Sequence, residues 1–206
     1  MRTTRRERMS ELMKLDGELF RAGISFAGMD EAGRGPLMGD VVVGCVVMPY
    51  EPQIEWVDDS KKLSEKRREM VFEEIMKTAL FVGVGSASPA EIDEMNILCA
   101  TKLAMRRAAK GAPATLCLVD SVKNIGLEIE ERAFDHGDAI SYSIAAASIV
   151  AKVTRDRQMA ELDRLYPGYG FLKNKGYGTP EHIAALKALG PCPIHRRSFI
   201  GHFVTI

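Results

Sequence analysis

Residues 24–48, ISFAGMDEAGRGPLMGDVVVGCVVM, decide how the rest of this sequence is read. Ile24 to Met29 is patterned as a short strand. Val41 to Met48 reads as a longer one, β-branched and nearly continuous in its apolarity, as a strand covered on both faces requires. Turn residues lie between them. At the end of the first strand stand two adjacent carboxylates, Asp30 and Glu31, which repel each other unless a cation or a base offsets them; Arg34 is a candidate base. Neighbouring residues on a regular strand point to opposite faces. Both acids therefore serve one site only if the strand stops at about Asp30 and the chain turns, which Gly33 and Gly35 permit.

Outward from this pair of strands, helical and strand patterns alternate. Leu63 and Ser64 form a staple and cap for a helix carrying Met70, Val71 and Ile75, and a strand follows from Leu80 to Ser88. Ser88-Pro89 opens a second helix that runs to about Ala109 and is closed by Gly111 and Pro113. ATLCLVD, Ala114 to Asp120, is a third apolar strand ended by an acid, and an acidic connector then holds a short strand near Glu131 to His136. A long helix is expected from about Ile140 to Leu165, its small-residue start (SIAAASIVAK) allowing close approach to a sheet. The tail from Tyr166 is loop-rich, with one further helix near Pro180 to Leu189. The succession predicts an α/β domain, a mixed sheet flanked by helices, with a smaller helical C-terminal region. Residues 1–23 form a helical, basic segment, 24–165 the core and 166–206 its C-terminal completion.

With 206 residues, 46% of them hydrophobic, the chain can bury a real core. Its longest apolar run, Val41 to Met48, falls far short of the roughly 18 residues a membrane-spanning helix needs, and the Arg-rich start leads into no signal-peptide core. A soluble, cytoplasmic protein is expected. Cys45, Cys99, Cys117 and Cys192 lie far apart with no C-x-x-C pair, which favours free thiols. Lys+Arg and Asp+Glu both total 28, yet residues 151–206 hold nine basic and four acidic side chains, an asymmetry that suits a polyanion as well as a solvated face.

Acids at strand ends are where such folds put ligand chemistry. Three or four converging carboxylates are what hard divalent ions need, two of them about 4 Å apart for phosphodiester hydrolysis. Asp30, Glu31, Asp120 and Asp138 are the candidates. Taken alone, Asp138 suits the N-cap of the long helix, and Asp120 reads equally as a turn residue. Asp156, 18 residues beyond Asp138, is carried more than about 20 Å along the helix and reads as a helix-surface partner of Lys152.

MDEAGRGPLMG, DDSKKLSEKRRE, LCLVD, GDAISYSIAAASIVAKVTRDR and KGYGT occur in that order, and with them the chain resembles bacterial ribonuclease HII, the type 2 ribonuclease H family, from about Ile24 to Phe199. The resemblance implies a ribonuclease H-like catalytic core over 24–165 and a substrate groove completed by 166–206. It implies an endonuclease that cuts the RNA strand of RNA–DNA hybrids and nicks duplex DNA 5′ of embedded ribonucleotides, leaving 3′-hydroxyl and 5′-phosphate ends, as in ribonucleotide excision repair. The family's catalytic metal ligands fall on Asp30, Glu31, Asp120 and Asp138, which reverses the capping preference for Asp138; two Mg²⁺ or Mn²⁺ ions are implied. Its Gly-Arg-Gly falls on Gly33, Arg34 and Gly35, its junction-sensing tyrosine on Tyr177, and Lys61 is similar to a lysine at the scissile region.

The chemistry of these side chains agrees with such roles. Bare glycines approach a sugar closely enough to meet a 2′-hydroxyl, Arg34 can anchor a phosphate, and the face of Tyr177 packs better on deoxyribose than on ribose. Lys173, Lys175, Arg196 and Arg197 are expected to hold the nucleic-acid backbone, making affinity salt-dependent. Asp40 and Asn174 depart from the family's usual proline and histidine; His182 and His195 read as satisfied loop histidines. The end soon after Phe203 leaves no long clamp-binding tail, and a monomer is expected. The sister type, ribonuclease HIII, is disfavoured by the Gly-Arg-Gly and by the roughly 23 residues before the first strand. A non-catalytic hybrid-binding protein could dispense with an acid, and a small-molecule phosphotransferase would want a Gly-rich loop before a helix; neither matches.

Overall fold

The described residues, 4–205 of a computed structural model, open with a helix, α1 (Arg5–Arg21), capped by Thr4 in a reciprocal box with Glu7. Two strands follow, β1 (Phe26–Ala32) and β2 (Val41–Val47), then α2 (Glu65–Thr78) with Ser64 as its cap, and β3 (Phe81–Ala87). The single helix expected from Ser88 to Ala109 is two: α3 (Pro89–Met95) and α4 (Ile97–Ala109). Asn96 divides them. Its φ of 70° breaks the helical path, and its side-chain oxygen accepts the Leu98 and Cys99 amides, so one residue ends α3 and caps α4. Next come β4 (Leu116–Asp120), β5 (Glu130–Phe134) and the long α5 (Tyr142–Leu165). The tail holds α6 (Phe171–Asn174), α7 (Pro180–Leu189) and α8 (Arg197–Ile200), two short helices more than the sequence suggested.

The sheet order is β3-β2-β1-β4-β5, with β1 antiparallel to β2 and parallel to β4, so the sheet is mixed as expected. Every residue of β2 is buried, because α5 covers one face of the sheet and α4 the other. Glycines set how close these helices come. A Cβ on Gly28 would lie 2.1 Å from the Ser143 carbonyl carbon, and one on Gly44 2.5 Å from the Ala147 oxygen. On the opposite face, Gly83 and Gly85 meet the Ala108 and Ala104 carbonyls in the same way. The small-residue start of α5 is thus used for backbone-to-backbone packing on β1 and β2.

Helix α1 packs on α5. Leu12 joins the core beneath it, and the buried Asp16 accepts both the amide (2.8 Å) and the hydroxyl (2.7 Å) of Ser143, pairing a first-turn amide of α5 that has no partner within the helix. Ser141, not Asp138, is the N-cap of α5, correcting the capping assignment made from spacing. No described helix is long and apolar enough to cross a membrane.

Candidate active site

Strand β1 does not stop at Asp30. It pairs with β2 through Glu31↔Val43 and Ala32↔Val42, so the two acids sit on a regular strand and start toward opposite faces, contrary to the expected turn. They share a site for another reason. The register Met29↔Val119 sets Asp30 abreast of Asp120, and β4 ends there, where Ser121 turns with a φ of 55°. Beyond that point β1 has an open flank, and the charges of Asp30 and Glu31 both meet that of Asp120.

Burial pushes the Asp30 carboxyl well above its ordinary value, and the charges of Glu31, Asp120 and Asp138 add to the effect. Glu31 is raised by burial despite Arg34, whose guanidinium stands 3.3 Å from Glu31 Oε1 and is the offsetting base anticipated for this pair. Glu31 Oε2 is buried with no hydrogen-bond partner. Asp138, in a helical turn over Gly137–Ala139, is raised to about 6 by burial and by Asp59 and Asp120. Asp120 Oδ1 accepts the Gly137 amide at 2.6 Å, tying the end of β4 to this turn. Lys61 is held charged by Asp138, Asp59, Asp30 and Asp120. Its neighbour Lys62 faces Asp58 and Asp59 instead, so Lys61 is the lysine directed toward the carboxylates. Among the described residues no three His, Cys, Asp or Glu side chains already stand at the spacing of ligands around one ion. The acids are tied instead to Arg34, Gly137 and, for Asp30, the Glu31 amide at 2.7 Å.

Beside the acids the segment from Gly33 to Asp40 is pinned from below by two buried arginines. Arg196 donates to the carbonyls of Gly33 (2.6 Å), Arg34 (3.0 Å), Pro36 (2.8 Å) and Gly39 (2.8 and 2.9 Å). Arg155 donates to Met38 and Asp40 and, at 2.9 Å, to the Lys175 carbonyl. Gly33, at a φ of 95°, is glycine because a Cβ there would meet Arg155 Nε at 2.1 Å. Gly35 faces Tyr177: a Cβ on it would touch the ring at 3.6 Å. The Leu37 amide donates to the Gly176 carbonyl at 2.8 Å, so the Gly-Arg-Gly segment and the Tyr177 loop form one surface next to the carboxylates.

A family model described as "Ribonuclease HII" matches residues 27–202, a span that includes all of these features. The chain belongs to the ribonuclease HII family. It is 51% identical over 196 residues to the ribonuclease HII of Desulfitobacterium hafniense strain Y51, covering 94% of this chain and 75% of that protein. Among solved structures, ribonuclease H2 from Pyrococcus horikoshii OT3 superposes with a TM-score of 0.70 at 33% identity, covering 85% of this chain and 93% of that one. The ribonuclease HII solved with PCNA from Archaeoglobus fulgidus gives 0.72 at 30% identity, covering 84% and 95%. The fold is therefore the ribonuclease H-like one, and the chain, as a member of this family, is an endonuclease of the ribonuclease H type.

Several assignments shift once the enzyme is seen folded. Arg196 is wholly buried, its basicity lowered to about 9 by burial and by Arg155, and it grips loop carbonyls, not nucleic acid as expected. Arg155 was not singled out at all; a charged side chain in a helix gives no sequence sign that it will turn inward. Asp156 does pair with Lys152, but it is buried and also faces Arg68, so it is no surface residue. Asp40 is half-buried beside Ser86, Arg155 and Arg196. Asn174 braces the turn before Tyr177, donating to the Tyr169 carbonyl and accepting the Gly176 amide, each at 2.8 Å. His182 and His195 are satisfied, as expected, but within the core of the C-terminal region. The four cysteines are free thiols.

Proposed function

We propose that this enzyme hydrolyses the RNA strand of RNA–DNA hybrids and nicks duplex DNA 5′ of an embedded ribonucleotide, acting as a cytoplasmic monomer in ribonucleotide excision repair. Asp30, Glu31, Asp120 and Asp138 would hold two Mg²⁺ or Mn²⁺ ions. The donor set fits: it offers only hard carboxylate oxygens, their mutual repulsion calls for a cation, and Glu31 Oε2 is buried without a partner. Bound there, such ions supply an activated water and charge stabilisation at the leaving 3′-oxygen.

The chain's own residues do the selecting. Backbone groups of Gly33 and Gly35 meet the 2′-hydroxyl, Arg34 takes the adjoining phosphate, and Lys61 neutralises charge near the scissile group. Tyr177, half exposed beside Gly35, packs on the neighbouring sugar and admits deoxyribose more readily than ribose. The observation that carries this reading is the shared anchorage of the two recognition segments. Arg155 and Arg196 hold the Gly33–Asp40 backbone, and Arg155 also holds Lys175, so ribose reader and deoxyribose reader keep a fixed spacing from the acids. Lys173, Lys175 and Arg197 remain as candidates for gripping phosphates.

The test is cleavage of a DNA duplex containing one ribonucleotide, in Mg²⁺ or Mn²⁺, by the wild type and Asp120→Asn. A single cut 5′ of the ribonucleotide is expected, with the variant at least about 100-fold slower while still binding. Equal cutting of an all-DNA duplex would overturn the reading. Tyr177→Ala should reduce cleavage at a lone ribonucleotide more than in a long hybrid; equal losses would remove its discriminating role.

A further inference from the structure

Beneath Tyr177 lie two imidazoles that the reaction does not use. His182 opens α7 and His195 precedes α8, and their rings are almost wholly buried, with Phe171 edge-on to His182 and Tyr169 tilted against His195. His182 Nδ1 is 2.9 Å from the Tyr177 carbonyl, the two Nε2 atoms are 3.2 Å apart, and His195 Nδ1 is 3.1 Å from the Cys192 amide and thiol. A carbonyl only accepts, so His182 carries its proton on Nδ1 and leaves Nε2 bare. The bare Nε2 must accept, which puts the His195 proton on its Nε2. His195 Nδ1 is then the acceptor that the Cys192 amide requires. A single arrangement of neutral rings satisfies every contact. A second proton on either ring would turn an acceptor into a donor and leave two N–H groups opposed across Nε2···Nε2 or His195 Nδ1 facing the Cys192 amide. Burial favours the neutral forms, lowering His182 and bringing His195 to about 4.

The chain of bonds ends at both recognition segments. Its Tyr177 end joins a carbonyl that also accepts the Thr179 amide, and its His195 end pairs in a β-bridge with Met38 of the Gly-Arg-Gly segment. The Gly39 amide donates to Ile194 and the Arg196 amide to Leu37, each at 2.9 Å. Arg196 fixes the depth of the Gly33–Gly39 segment, but it makes no bond to Tyr177.

We propose that the hydrogen bond donated by His182 Nδ1 to the Tyr177 carbonyl, with His195 and Cys192 serving to fix the tautomer that makes His182 Nδ1 a donor, is a specificity-positioning device that sets the height of Tyr177 over Gly35, and with it the preference for a ribose–deoxyribose junction. The inference rests on the reading of Tyr177 as the deoxyribose-packing residue. His182 and His195 are positioning residues, since neither touches the sugar.

Two substitutions separate the two bonds of His182. His182→Asn keeps a donor where Nδ1 stood and drops the link to His195, whereas His182→Gln reaches toward His195 and drops the donor to Tyr177. Both remove a buried ring, so both lower thermal stability, and stability alone does not distinguish them. The readout is the ratio of kcat/KM on a single-ribonucleotide duplex to that on a uniform hybrid. For His182→Gln the ratio should fall on the order of tenfold, toward the Tyr177→Ala value, while His182→Asn stays within about threefold of wild type. In the wild type at neutral pH, ¹⁵N long-range NMR should find His182 protonated at Nδ1 and His195 at Nε2. A shift of the ratio in Tyr177→Ala with none in His182→Gln overturns this role of His182 and leaves the reading of Tyr177 intact, and opposite tautomers also overturn it. An unchanged ratio in Tyr177→Ala overturns the reading of Tyr177, and the role of His182 falls with it. If His182→Gln does not fold, His182→Asn and the tautomers decide: a ratio at the Tyr177→Ala level overturns the proposal.

Discussion

Asp30 shows what the site costs the fold. Its carboxyl is buried and faces three like charges, so with divalent ions chelated the native state favours protons that the unfolded chain releases. For Asp30, Glu31 and Asp138, whose values are raised in the fold, stability is fullest below the ordinary carboxylate range. It is lost as pH rises through the raised values, about 6 for Asp138. His195 works in the opposite sense, losing stability as pH falls from about 6.5 to about 4, so the carboxylate effect is free of it only above about pH 6.5. Asp30→Asn is expected to raise the melting temperature of the chelated enzyme at pH 7.5 by about 2–4 °C, roughly 1 kcal/mol, and to shrink the further rise given by Mn²⁺. Differential scanning fluorimetry in chelator and in Mn²⁺ reads both; a lower melting temperature in chelator would refute the expectation. The Asp30–Glu31 pair stood out in sequence because like charges beside an apolar strand call for an offsetting cation or base, whereas Asp120 read equally as a turn residue. Asp138 was preferred as a ligand only through the resemblance, since its spacing favoured a cap, a position that Ser141 in fact takes. Arg155 and Arg196 were not legible as inward-facing. Their partners in the Gly33–Asp40 segment are backbone carbonyls 115 to 163 positions away, and no local pattern reports a carbonyl that needs a donor.

At the scale of elements, the seam between β1, β2 and α5 is made of absent side chains. Gly28→Ala puts a methyl 2.1 Å from the Ser143 carbonyl carbon, which is backbone and cannot swing aside. A destabilisation of about 3 kcal/mol is expected in urea unfolding, with the acids displaced because Asp30 lies two residues on. Gly17→Ala, inside α1 with nothing nearer than a flexible Arg21 tip at 3.8 Å, should instead stabilise by about 0.5–1 kcal/mol. The strands and long helices were readable because their apolar periods are strong. Two features were not. β1 outruns its expected end because β2 is there to pair with Glu31 and Ala32, and the α3–α4 break depends on one asparagine in a conformation that periodicity does not register.

For the whole molecule, formal charge is zero, so attraction to a nucleic acid must come from where the charges sit. Arg197 is exposed and Arg196 beside it is not. Measured by fluorescence anisotropy against salt, hybrid binding should weaken steeply, and Arg197→Ala should reduce the log–log slope by about 1 with little change in melting temperature. An unchanged slope would exclude Arg197 from phosphate contact.

The Gly33–Gly39 segment is synthesised early, yet the side chain that fills its underside, Arg196, lies up to 163 residues later. During translation the ribosome exposes the acids and their loop long before that arginine emerges. Contacts so distant in sequence close slowly. Nascent chains therefore pass through most of their synthesis with the Gly33–Gly39 carbonyls lacking the donor that holds them in the finished fold.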